Sequence, residues 1–99
     1  MMKRFLLIFL ILFSQLSIAE TVSVKYFGTV DLDKFECVQT VSSFVNRICH
    51  NSENRLTVVL LRTTYYAYCA MPNRLIEDWI DAPSKGRFYN VRVKGRFRC

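Results

Sequence analysis

SSFVNRICHNSENRLTVVLLRTTYYAYCAM, residues 42–71, holds the architecture of this chain. SSFVNRICH (42–50) is rich in β-branched and aromatic residues, and Asn51-Ser52-Glu53-Asn54 has the composition of a turn. RLTVVLLR (55–62) is apolar on both faces, and after Thr63-Thr64 comes a third strand-like run, YYAYCAM (65–71). The pattern predicts a three-strand meander. A strand apolar on both faces needs cover on both, so residues 56–61 are expected in the middle, with a helix over one side.

That helix reads from PNRLIEDWIDAP (72–83), where Pro72 suits an N-terminal position and Leu75, Ile76, Trp79 and Ile80 recur at helical spacing. Glu77, Asp78 and Asp81 fall mainly on the opposite face, and Pro83 ends the element. Trp79 reads most simply as a core residue docking the helix on the sheet, the alternative being a Trp exposed in a groove. Upstream, TVSVKYF (21–27) alternates Val22, Val24 and Tyr26 with Thr21, Ser23 and Lys25, the period of a half-buried strand. Gly28 ends it, and Asp31 to Phe35 reads as a short polar connection. No Pro- or Gly-rich linker announces a second domain.

The first residues, MMKRFLLIFLILFSQLSIAE, set Lys3 and Arg4 before an apolar run from Phe5 to Phe13 and a Ser17-Ile18-Ala19 triplet. This is the pattern of a secretory signal peptide, residues 1–19, cleaved after Ala19. The run is much shorter than the roughly 20 apolar residues a membrane-spanning helix needs. Export to the periplasm or beyond the cell is expected, with no stable membrane span after cleavage; the competing reading is an uncleaved N-terminal anchor.

The remaining domain is small enough to need staples. Cys37, Cys49, Cys69 and Cys99 read as two disulfides in an exported chain. Zinc is disfavoured because 11, 19 and 29 residues separate them, whereas structural zinc sites use close pairs. Spacing does not choose among the three connectivities. The matched Phe35-x-Cys37 and Phe97-x-Cys99 favour Cys37–Cys99, leaving Cys49–Cys69.

Charge is unevenly spread. Residues 20–83 hold six basic and eight acidic side chains, a net of −2, while SKGRFYNVRVKGRFRC (84–99) adds +6. Within that last stretch Tyr89, Val91 and Val93 alternate as in a strand, yet Phe88, Val91 and Arg92 also fit a helical turn, so residues 87–94 are readable either way.

Ser42-Ser43, Val45, Ile48, Tyr66-Ala67-Tyr68 running into Met71-Pro72, the Leu75/Ile76/Trp79 helix, Ser84-Lys85-Gly86-Arg87-Phe88-Tyr89-Asn90, Val93 and Gly95-Arg96-Phe97 together resemble the KTSC domain. That family takes its name from the C-terminus of some lysyl-tRNA synthetases and occurs more often alone in small bacterial proteins. The resemblance spans residues 42–97 and divides the chain into a signal peptide (1–19), an N-terminal strand and connection (20–41) and a KTSC-like domain (42–99). It implies at most a binding role, RNA having been suggested from the attachment to a synthetase. An exported chain does not meet tRNA, which weakens that implication here.

For catalysis the inventory is thin. His50, the single histidine, has no serine, cysteine or carboxylate in a relation that makes a dyad, and reads as facing solvent or satisfying its turn. Glu77 and Asp81 share a helix face, but the wet side of an amphipathic helix explains them. No catalytic residue, metal or cofactor is expected. For binding, Tyr66 and Tyr68 share a strand face, and aromatics beside cations are how single strands of nucleic acid are gripped; equally, they serve as core. Lys85, Arg87, Arg92, Lys94, Arg96 and Arg98, interleaved with Phe88, Tyr89 and Phe97, would add salt-sensitive affinity for a polyanion, or would simply be solvated.

The expectation is an α+β fold: a small antiparallel sheet of three or four strands, one helix from about Asn73 to Ala82, and two disulfides. Its function reads as a non-catalytic binding module for an anionic polymer, nucleic acid or acidic protein. The alternative is a protein-interaction or inhibitor domain of the cell envelope.

Overall fold

The structure is a computed structural model that describes residues 19–99, so the signal-peptide reading, apart from Ala19, falls on residues outside those described. Six strands form one sheet in the order β2-β1-β6-β5-β4-β3. They are β1 (Thr21–Lys25), β2 (Gly28–Asp31), β3 (Glu36–Gln39), β4 (Val45–His50), β5 (Thr57–Leu61) and β6 (Thr64–Tyr68). Helix α1 (Asn73–Asp81), the short α2 (Lys85–Phe88) and a π-helical turn (Tyr89–Val93) follow.

This corrects the expected sheet of three or four antiparallel strands with one helix. The meander β4-β5-β6 is present, and β5 lies between its neighbours with Val58 and Val59 fully buried on opposite faces. Residues 20–41 then add strands at both edges. β3 pairs antiparallel with β4, while β1 pairs in parallel with β6, Val24 opposite Tyr65 and Lys25 opposite Tyr66, which makes the sheet mixed. Gly28 begins β2 instead of ending β1; its φ of 120° is open to glycine and strained for other residues.

Each face of the sheet carries its own core. On one, Val45, Ile48 and Val59 meet Met71, Leu75, Ile76 and Trp79 from α1 and its approach, with Tyr89 and Val93. Trp79 is fully buried, stacks against Phe88 with ring centres 6.0 Å apart, and donates its indole N–H to the Lys85 carbonyl at 3.0 Å. Burial of such a side chain stabilises by roughly 3 kcal/mol, and the buried N–H has the partner it needs. On the other face Cys49 and Val58 are covered by Val24, Val30 and Leu32, with Phe35, Tyr65 and Ala67 packed around them. The N-terminal strands therefore close the second face of the meander as well as its edges. Glu20, just before β1, holds Arg47 of β4 through two hydrogen bonds of 2.6 and 2.8 Å. The hydrogen bond from Arg47 pulls the Glu20 carboxyl below its ordinary range.

The cysteine pairing also differs from expectation. Cys37 is bonded to Cys49, and Cys69 to Cys99, with Cα–Cα distances of 4.0 and 4.9 Å. The cause is register. Once β3 lies beside β4, Cys37 stands directly opposite Cys49, and Cys69, directly after β6, receives the returning C-terminus, its N–H donating to the Phe97 carbonyl at 2.7 Å. Two disulfides point to a non-cytoplasmic environment. Among the described residues no helix is long and apolar enough to cross a membrane.

Of residues 87–94, readable as strand or helix, Arg87 to Val93 are helical, within a helical stretch that begins at Lys85. The Ser84 hydroxyl caps the start by accepting from the Arg87 N–H at 3.2 Å. The last turn widens, the Lys94 N–H reaching back five residues to the Tyr89 carbonyl at 2.8 Å. Tyr89 and Val93 turn into the core, and Val91 is left 59% exposed.

Candidate functional site

The basic segment is divided between the two ends of the sheet. One end is marked by the pairs Val45–Leu61 and Leu61–Thr64, the other by His50–Thr57 and Thr57–Tyr68. Gly86 lies against Phe44, at the first end. Phe97 and Cys99 are fastened to Cys69, at the second. The chain from Lys85 to Arg98 thus runs the length of the sheet and carries its cations along the way.

Arg87, Arg92, Lys94, Arg96 and Arg98 are exposed, and Lys85 is half-buried with its ammonium donating to the Ala82 carbonyl at 2.6 Å. The ion pairs found among the described residues are Arg47–Glu20 and Arg74–Asp78. Neither involves residues 84–99, so the pairing of the tail with Glu77, Asp78 and Asp81 that would have neutralised it is not made there. Arg92 instead lies 5.4 Å from the centre of the Phe88 ring.

Arg87 stands where two clefts meet. One, of roughly 400 Å³, is lined by Ser42, Ser43, Ser84, Lys85, Arg87 and Asn90 among others. The second, of roughly 330 Å³, continues past Pro83, Phe88, Val91 and Arg92. The first is polar and cationic, the second backed by aromatic and aliphatic carbon. Hydroxyls, an amide and a guanidinium around one opening are hydrogen-bonding groups suited to an anionic ligand, with Arg87 supplying a planar fork. Ser42 and Ser84 are partly engaged already, Ser42 accepting from the Phe44 and Val45 N–H groups.

The tyrosines do not form an open stacking platform. Tyr68 packs into the α1 core, its hydroxyl 2.8 Å from that of Tyr89 and their rings edge to face. Burial, then the hydrogen bond to Tyr89, pushes the Tyr68 phenol well above its ordinary range. Tyr66 is half-buried between Val59 and Lys25. His50 corrects the expectation of a solvent-facing or turn-satisfying ring. It is buried, with Nδ1 2.7 Å from the Thr57 hydroxyl and Nε2 2.7 Å from Asn73 Oδ1. The Asn73 oxygen only accepts, so Nε2 carries a proton, and the ring ties the end of β4 to the first residue of α1. Glu77, Asp78 and Asp81 lie on the outer face of α1, as an acidic counterpart to the basic tail. Among the described residues no three His, Cys, Asp or Glu side chains converge as a metal site would require.

Sequence reasoning passed over Ser43 and Asn90 as site residues. Both are exposed, and both belonged to stretches whose other members proved structural: Val45, Phe88, Tyr89 and Val93 in or against the core, Gly86 against Phe44, Ser84 as a cap. The signal available was that remainder, the polar members of a motif whose apolar members already have packing roles.

No curated protein matches the chain significantly. Among solved structures it is similar to the crystal structure of a KTSC domain protein from Yersinia pestis, with 29% sequence identity and a TM-score of 0.61, over 66% of this chain and 93% of that one. β1, β2 and β3 lie before the stretch matched by the KTSC domain family model, residues 41–97, whereas the meander, α1 and the clefts fall within it. With more than half its length covered by that match, the chain belongs to the KTSC domain family.

Proposed function

We propose that the protein is a periplasmic or secreted, non-catalytic binding module that recognises an anionic polymer along α2, the π-helical turn and the C-terminal segment. The observation that carries this reading is Arg87, exposed at the junction of two clefts, heading a run of cations without a carboxylate partner among the described residues. Unpaired, solvated cations are available to displace the counterions of a polyanion. The non-catalytic part is supported by the thiols, all paired, and by His50, held between Thr57 and Asn73.

The experiment is a salt titration of binding to single-stranded DNA and RNA. Affinity should fall steeply with salt, and replacing Arg87 and Arg92 by Gln should lower the slope by roughly one per cation. Absence of binding to either polymer at low salt removes the reading.

A further inference from the structure

The sheet end opposite the clefts carries an exposed hairpin tip, closed by the Phe27 N–H donating to the Val24 carbonyl at 3.1 Å. β1 and β2 close on the pair Val24–Gly28, leaving Lys25, Tyr26 and Phe27 at the tip of the hairpin. Tyr26 is 91% exposed and Phe27 45%. Tyr26 also has a φ of 64°, the left-handed conformation a tight hairpin turn calls for, which it shares with Arg55, Arg62, Ala70 and Phe97 and which Gly or Asn adopts more readily than a bulky residue. The Lys25 ammonium stands 5.2 Å from the centre of its ring.

Register shows what surrounds this tip. Because β1 runs parallel to β6 with Lys25 opposite Tyr66, the tip reaches the level at which β6 ends and Cys69 receives Phe97 and Cys99. Exposed Arg96 and Arg98 flank Phe97, and exposed Arg55 follows the β4–β5 turn at the same end. Glu53 in that turn and Glu36 opposite His50 are the carboxylates set against them. Asp31, Asp33 and Lys34 line a shallow cleft with Phe27, so that Lys25, Lys34, Arg55, Arg96 and Arg98 stand against Glu36, Glu53, Asp31 and Asp33. Cations remain in excess.

We propose that the β1–β2 hairpin tip is a membrane-docking element that seats Tyr26 and Phe27 in the headgroup region of a bilayer carrying anionic phospholipid. Its shape is a wedge, not a groove. Two aromatic side chains offer at most about 150–250 Å² each, well below the roughly 800 Å² per partner of a stable protein interface. A bilayer needs no complementary pocket. It takes rings at the acyl boundary and ammonium or guanidinium groups at the phosphates, with both contributions adding.

The test uses protein produced with its own N-terminus and recovered from the host periplasm, carrying Tyr26→Trp as a reporter beside the fully buried Trp79. Emission should shift to the blue on mixed phosphatidylcholine–phosphatidylglycerol vesicles, be quenched by bromine-labelled acyl chains, and stay unchanged on phosphatidylcholine alone. In co-sedimentation with the unlabelled protein, Tyr26→Asn combined with Phe27→Ser should weaken vesicle binding by about tenfold or more. The same tip variant should leave binding of single-stranded RNA unchanged, which separates this surface from the polyanion site. Near-ultraviolet circular dichroism verifies that the tip variant is folded, as Asn suits the φ at position 26. No emission shift, equal binding to neutral vesicles, or binding indifferent to the tip variant overturns the proposal. So does a tip that instead mediates self-association or contacts RNA.

Discussion

Gly86 of α2 lies against the Phe44 ring, so closely that a Cβ at position 86 would stand 2.6 Å from Phe44 Cε1. In an ordinary helix the exchange of Gly for Ala gains about 1 kcal/mol. Here the methyl must displace a ring that itself packs edge to face on Tyr89 with centres 5.9 Å apart. Gly86→Ala should therefore destabilise, by roughly 1–2 kcal/mol, lowering the thermal midpoint by several degrees. A raised midpoint would mean that Phe44 swings aside freely and that the first cleft is not a fixed shape.

The two disulfides should differ in worth. Cys37–Cys49 spans 12 residues and Cys69–Cys99 spans 30, which in the chain-entropy account corresponds to about 3 and about 3.6 kcal/mol. Removing Cys69 and Cys99 together also unfastens Phe97 from the α1 core. Urea unfolding of the two double Cys→Ala variants should show the larger loss for the second pair; the reverse order would contradict the loop-length account.

What the sequence made legible, and what it hid, follows from how local each feature is. β5 was readable because burial on both faces leaves an unbroken apolar run, and α1 because Leu75, Ile76 and Trp79 recur on one side. β2 and β3 are four residues each with largely exposed side chains, so neither presents a pattern. The parallel pairing of β1 with β6 leaves no mark on either strand, since alternation reports which face is buried and not which neighbour is bonded. Without β3 there was no register to set Cys37 opposite Cys49. At the candidate site the cations were visible, but their division between two ends of the sheet depends on the helical rise from Ser84 to Val93. Tyr89, Val91 and Val93 imitate a strand there, until the widened last turn buries the first and third and exposes the second.

Tyr68 makes stability depend on alkaline pH. Its folded-state phenol is pushed up, first by burial and then by Tyr89, while in the unfolded chain it ionises near its ordinary value of about 10. The folded state therefore holds this proton more tightly. The contribution is whole below about pH 10 and declines as pH rises above it, because the unfolded state alone releases the proton. Urea midpoints measured across this range should fall with pH, and Tyr68→Phe should flatten the decline while costing about 1 kcal/mol at neutral pH through the lost hydroxyl pair. An equally steep decline in the variant would assign the alkaline transition to other groups.

Tyr26 allows the fold and the proposed docking surface to be set against each other. A non-glycine residue in the left-handed region costs roughly 1–2 kcal/mol, and Asn relieves part of that through its tolerance of the conformation. With 91% of Tyr26 exposed, little burial is lost in the exchange. Tyr26→Asn alone should then raise the thermal midpoint by a few degrees, while reducing binding to anionic vesicles. Opposite signs in the two assays are what a residue kept for contact outside the fold produces, since strain retained at a surface position needs a return elsewhere. A lowered midpoint would show instead that the Tyr26 ring, with Lys25 beside it, holds the hairpin together, and the strain would then be structural in origin.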